Sequence, residues 1–267
     1  MSRRRIVDRT ASGASEGVQP ADLLPVEFAS LNVAGWKSPN DIQWLEISDE
    51  VLGGRDHSCG LVYRGRMKFA DGRPIDVAVK RFKEEINRPL TSGLPDELAF
   101  SYQRCIRDLN AEGIHMPHMS MVKTSDGEWV QVMEVFEHGH ETKFDHRTQH
   151  FKTPKTRSYF ATSLARIINA GYYVPSDAFG SINDGDRLFL FDLDEVVRLR
   201  PASERDVQRT IERAVELMSF AVRDPYLSVT HDERHGMMHG MFDEFHETLK
   251  SPGNRDYAYD RIVKQNL

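Results

Sequence analysis

The hydrophobic pattern changes period along the chain. Between residues 42 and 80, apolar and polar positions alternate in three short runs: I-Q-W-L-E-I, L-V-Y-R-G-R-M-K-F and I-D-V-A-V-K. A period of two predicts strands. Gly53, Gly54 and Gly60 form a glycine-rich turn between the first two runs, and Asp71-Gly72 reads as a two-residue hairpin with positive φ before the third. From Pro95 the period lengthens. Leu98, Tyr102, Cys105, Ile106 and Leu109 recur at helical spacing behind Asp96 and Glu97, whose charges suit the first turn of a helix. A strand pattern returns as W-V-Q-V-M-E-V-F from Trp129 to Phe136, after a Ser125-Asp126-Gly127 turn. Further helices are predicted over 159–170, closed by Gly171, over 203–222, with Ser203 as N-cap, and over 232–249, around a stripe of Met238, Met241, Phe242, Phe245 and Leu249.

The remaining stretches lack such a period. Residues 1–25, rich in Ser, Arg, Ala and Gly, read as a disordered leader. Residues 138–157 read as an insertion carrying Lys143, Arg147, Lys152, Lys155 and Arg157 among several histidines. Such a run serves either as a solvated polar loop or as a surface for an acidic partner or a polyphosphate. Residues 251–267 predict no element of their own, although Tyr257, Tyr259 and Ile262 are available to dock.

Composition narrows the class. A chain of 267 residues, 39% hydrophobic and 28% charged, is long enough for one large domain or two lobes. A formal charge of -6 argues against a nucleic-acid binder, which carries a basic face. The two cysteines, Cys59 and Cys105, give neither a disulfide framework nor zinc spacing, so a reducing compartment is expected. No apolar run reaches membrane-spanning length, and Arg3-Arg4-Arg5 has no apolar stretch behind it to make a secretory signal. His235, His239 and Asp243 share a phase at i, i+4 and i+8, which fits a metal-ligand set or the polar side of a core helix.

Residues 51–80, V-L-G-G-R-D-H-S-C-G-L-V-Y-R-G-R-M-K-F-A-D-G-R-P-I-D-V-A-V-K, resemble the start of a protein-kinase-like domain. Gly60-x-Val62 is similar to the close of its glycine-rich loop, and Val77-Ala78-Val79-Lys80 to its V-A-I-K strand. The other landmarks follow in order: the acidic helix, the strand at Trp129, the helix before the catalytic loop, and R-L-F-L-F-D-L-D ending at Asp192 and Asp194. The resemblance implies an α+β bilobal fold: an N-lobe over 26–137 with an antiparallel sheet and one helix, and a mainly helical C-lobe over 138–267. It also implies ATP and Mg²⁺ as cofactors. Gly53, Gly54, Gly60 and Val62 would then cradle phosphate, Lys80 would neutralise it, and Glu97 would hold Lys80. Met133 would border the nucleotide pocket, Glu134 and Phe136 would offer backbone groups to the adenine, and Asp192 would bind the metal.

Two departures from the family pattern bear on activity. Counting back from Asp192, Ser176 and Ser181 fall where such kinases carry the catalytic Asp and the metal-binding Asn, and a one-residue slip would make Asp177 the catalytic residue. There is also no A-P-E segment, and Asp194 leads almost directly to Ser203. The resemblance therefore implies a compact, atypical kinase of the bacterial effector or aminoglycoside-phosphotransferase type, transferring phosphate to a protein hydroxyl. The alternatives are a pseudokinase gripping a protein partner and a small-molecule phosphotransferase. The expected location is the cytoplasm, or a host cell after secretion.

Overall fold

The computed structural model describes residues 4–8, 42–53, 60–69, 72–82, 94–135, 153–175, 178–182, 187–198, 201, 203–223 and 229–264. The chain divides into two compact units, 1–107 with 117–135, and 108–116 with 136–267. The break after Val135 stands just ahead of the division read from the sequence at 137/138.

Unit 1 is built on an antiparallel sheet. Its strand order is β1 (Arg4–Asp8), β2 (Ile42–Gly53), β3 (Gly60–Phe69), β4 (Ile75–Phe82), β6 (Trp129–Glu134), β5 (Met119–Lys123). One helix, α1 (Asp96–Ala111), begins in this unit. The α+β expectation of an antiparallel sheet with one helix holds here. Alternation gives the sheet two faces. Leu45, Met67, Phe69, Val77, Val79, Val130 and Val132 form a buried apolar cluster on one of them. Gly65 lies within this cluster, where a Cβ would stand 2.8 Å from Val79 Cγ2 and 2.9 Å from the Glu46 carbonyl oxygen. Its missing side chain lets the β4 valines close over β3.

The other face holds α1. Phe82 meets Tyr102 at 5.0 Å between ring centroids, and Phe100 meets Trp129 edge-on at 5.8 Å. The first turn of the helix is tied to the sheet through Asp96, whose Oδ1 accepts from Lys123 Nζ at 2.9 Å and Trp129 Nε1 at 2.6 Å. The hydrogen bond from Lys123, then that from Trp129, holds the Asp96 carboxyl below the usual carboxylate range.

Two details differ from the sequence reading. The last β3–β4 pair is Met67–Ile75, and Gly72 is not among the described positive-φ glycines, which are Gly113, Gly127 and Gly171. Asp71-Gly72 is thus not a two-residue hairpin. Pro74 lacks a donor, and ladder pairing begins only after it, at Ile75. In addition, β1 pairs with β2 inside the stretch read as a leader; the rest of 1–25 lies outside the described residues.

Unit 2 contains α2 (Pro154–Asn169), the hairpin β7 (Phe179–Ile182) and β8 (Arg187–Leu190), α3 (Asp194–Arg198), α4 (Glu204–Val222), α5 (His231–Thr248) and α6 (Pro252–Lys264). Capping chemistry sets the helix ends. Thr153 accepts from the Thr156 N–H with Pro154 in the first turn, so α2 starts ahead of its apolar stripe. Gly171, at φ +77°, ends it, with the Tyr172 N–H donating to the Ile167 carbonyl at 3.1 Å. Ser203 caps α4, and Thr230 with Glu233 forms a capping box on α5. Past the expected end of the helices, α6 docks on α4. Tyr257 Oη donates to Glu212 Oε1 at 2.6 Å, and Arg261 lies 2.8 Å from the same oxygen.

Residues 108–116 belong to this unit because their contacts do. The Tyr159 hydroxyl accepts from the His115 N–H at 2.6 Å with the two rings stacked, Arg166 donates to the Gly113 carbonyl at 2.8 Å, and Tyr172 donates to Asp108 at 2.8 Å. Burial pushes the Tyr159 hydroxyl up to about 12. Among the described residues, no helix is long and apolar enough to cross a membrane.

Candidate functional site

In unit 1 the sheet register lines several sequence-predicted residues into one row. Gly53 on β2 pairs with Val62 on β3, Val62 with Lys80 on β4, Lys80 with Gln131 on β6, and Gln131 with Met121 on β5. Directly opposed residues share a face. Phe82, two residues from Lys80, faces α1, so the Lys80 side chain lies on the helix side of the sheet. Lys80 is only 7% exposed, and its Nζ stands 5.6 Å from the centroid of the Phe82 ring, a cation–π distance.

Gly60 joins this row at its edge. It opens β3 opposite Phe82, and a Cβ there would stand 2.3 Å from the Arg81 carbonyl oxygen and 3.4 Å from Lys80 Cγ. Only glycine fits against that carbonyl, so close strand packing accounts for Gly60 independently of any ligand.

Two buried polar residues that sequence reasoning missed accompany this row, Gln131 within it and Gln103 beside its end at Met121. Gln131 is 1% exposed and Gln103, on α1, is 4% exposed. Gln103 Oε1 accepts the Met121 N–H at 3.0 Å, while its Nε2 has no hydrogen-bond partner. The signal was a glutamine at an otherwise apolar position of each element. Glu97 has a different setting: it is exposed in the first turn of α1, and its carbonyl accepts from Ser101 Oγ at 2.9 Å. Asp96 and buried Gln103 are the α1 side chains described as hydrogen-bonded to the sheet, and Glu97 is not among them.

Glu134 closes β6, and its N–H donates to the His118 carbonyl at 2.8 Å. Burial pushes its carboxyl up to about 7, against the opposing hydrogen bond from the His118 N–H at 3.3 Å. Met133 is buried beside it. Gly54 and Phe136 lie outside the described residues.

In unit 2, Asp192 follows the β7–β8 hairpin, half-buried. Its Oδ1 accepts the Asp194 N–H at 3.1 Å, a bond that caps the short helix α3. Ser181 pairs with Leu188 across the hairpin. Gly180 is a close fit, since a Cβ there would stand 3.1 Å from the Phe189 and Phe191 rings. Ser176 and Asp177 lie outside the described residues, as does most of the basic stretch, 138–152. His235, His239 and Asp243 are all exposed on α5, and among the described residues no group of three or more such side chains is placed to hold a metal ion.

No protein-family model matches the chain, and no curated protein matches it. Among solved structures, it is similar to a pseudokinase in its apo form, at 13% identity and a TM-score of 0.46, covering 82% of this chain and 92% of that one. The Mycobacterium tuberculosis PknI kinase domain matches at 13% identity and a TM-score of 0.42, covering 90% and 99%. The Helicobacter pylori proinflammatory kinase CtkA matches at 12% identity and a TM-score of 0.40, covering 83% and 97%. Likeness at this level carries neither the activity nor the ligands of those proteins to this chain.

Proposed function

We propose that the chain is an atypical kinase-like protein that binds Mg²⁺-ATP and transfers phosphate to a protein hydroxyl. The observation that supports this reading best is Lys80, a lysine 7% exposed in a row that begins at Gly53 and includes Val62. An ammonium beside glycine backbone suits a polyphosphate, and the Asp192 carboxylate suits a hard divalent cation. Bound nucleotide supplies the phosphoryl group. The chain's own residues do the rest: Lys80 neutralises phosphate charge, Asp192 holds the cation, and Asp177 takes the proton from the acceptor hydroxyl. Gly53, Gly54 and Gly60 give the backbone close approach, and Glu134 and Phe136 offer main-chain groups to the base.

A second reading, a pseudokinase acting as a regulatory module on a protein partner, is favoured by the exposure of Glu97 and by Ser176 and Ser181 at the expected Asp and Asn positions. Calorimetric titration of Mg²⁺-ATP into the wild type and Lys80→Met, followed by incubation with γ-labelled ATP and candidate proteins, separates the two. Binding lost in Lys80→Met, with label transfer abolished by Asp177→Asn, supports the kinase. Binding without transfer supports the second reading. Equal titration curves for wild type and Lys80→Met overturn the role of Lys80 in both.

A further inference from the structure

Helix α5 is firmly held at both ends. Its N-terminus carries the Thr230–Glu233 capping box. At its C-terminal end, Asn169 of α2 donates from Nδ2 to the Thr248 carbonyl and accepts the Lys250 N–H, each at 2.9 Å. Met238, Met241, Phe242 and Phe245 bury its inner side. The outer side of the middle turns is built differently. The middle turns read H-G-M-M-H-G, and His235, Gly236, His239 and Gly240 on their outer side are all exposed. A Cβ placed at either glycine would meet nothing within 4 Å. Neither glycine is required by packing, and each weakens the helix because glycine is a poor helix former. The two histidines they follow lie one turn apart, with ring centroids 4.4 Å from each other and planes crossing at 61°.

Two imidazoles at i and i+4 can chelate one transition-metal ion, each with one ring nitrogen. The chelate closes over one helical turn, so it favours the helix over any other conformation of that turn, where the glycines leave it weakest. We propose that His235 and His239 form a two-ligand surface site for a borderline divalent ion of the Zn²⁺, Ni²⁺ or Cu²⁺ class, which stiffens the glycine-containing middle of α5. With only two protein ligands, the remaining coordination positions are filled by water or by a donor from another molecule. The inference is independent of the kinase-like reading, since it involves neither Lys80 nor Asp192.

The test uses the full chain. Zn²⁺ is titrated by calorimetry, and thermal unfolding and amide hydrogen exchange are recorded with and without the metal. Saturating Zn²⁺ is expected to raise the melting temperature by about 2–4 °C and to slow exchange over residues 235–241. His235→Ala and His239→Ala are each expected to weaken binding roughly tenfold or more, because the second ring no longer binds intramolecularly. Both positions are exposed, so these variants keep the fold. A chain with His138, His140, His146 and His150 all replaced by Ala is expected to retain the α5 response. Undiminished Zn²⁺ affinity in His235→Ala/His239→Ala, or Zn²⁺ binding that leaves exchange over α5 unchanged, overturns the proposal.

Discussion

The two faces of the unit 1 sheet make opposite uses of burial. The face carrying Leu45, Met67, Val77, Val79, Val130 and Val132 is an apolar cluster, closed by the absence of a side chain at Gly65. The α1 face is buried just as deeply but includes Lys80, Gln103 and Gln131, at 7%, 4% and 1% exposure. Apolar groups are stabilised by leaving water, whereas polar groups gain little from burial and must be satisfied where they lie. One face therefore carries much of the stability, and the other gives up part of it to position polar chemistry. The proposed function draws on the second face, through Lys80.

Substitutions can break or sharpen this contrast, in descending order of effect. Leu45→Ala opens a cavity in the apolar face and is expected to destabilise the chain by about 2–5 kcal/mol in urea unfolding. A loss below about 1 kcal/mol would remove the distinction between the faces. Gln103→Leu keeps the volume on the helix face but strands the buried Met121 N–H, with an expected loss of about 1–3 kcal/mol. A stabilised variant would show that this hydrogen bond contributes nothing.

Glu134 stands at the end of the apolar face, and it sharpens the comparison through pH. Its carboxyl keeps its proton up to about 7 in the fold, against an ordinary value of 4.5. Between those two values the folded chain holds a proton that the unfolded chain has released. Stability from this group is therefore greatest at low pH, falls as pH rises through the window, and stays low above it. Glu134→Gln should flatten that slope and stabilise the chain at pH 8 by about 1–3 kcal/mol, read from melting curves at pH 5 and pH 8. Equal slopes would refute the assignment. The smallest effect belongs to Lys80→Met. Its long apolar replacement fills the same space, so stability should change by less than about 1 kcal/mol while nucleotide binding is lost. A large loss of stability would make Lys80 a structural residue.

How far these assignments could be read from the sequence depended on the range of the interaction. Ser203, Gly171 and the Ser125-Asp126-Gly127 turn act within one turn of chain, and all three stand where local chemistry put them. The α1 span was legible for the same reason, but the side that α1 shows to the sheet was not. Glu97 looked suited to hold Lys80 because it is acidic and lies in the right helix. Which α1 residue reaches the sheet is set by Tyr102 against Phe82 and by Asp96 against Lys123 and Trp129, contacts between distant segments. Likewise α6 has a polar sequence with little stripe of its own, and its docking through Tyr257 and Arg261 depends on Glu212 of α4. The row from Gly53 to Met121 could not be foreseen residue by residue, since register is decided by pairing between strands.

The hydrogen bond from the Met121 N–H to Gln103 also acts at the border of the sheet. Among the described strands β5 is the last, and an outermost strand offers unpaired N–H and C=O groups as a template on which a foreign strand can grow. Here one outward N–H is already taken by a side-chain amide reaching across from α1. Gln103 thus works as a selvedge stitch for the sheet, taking up one of the donors that a strand added along β5 would need.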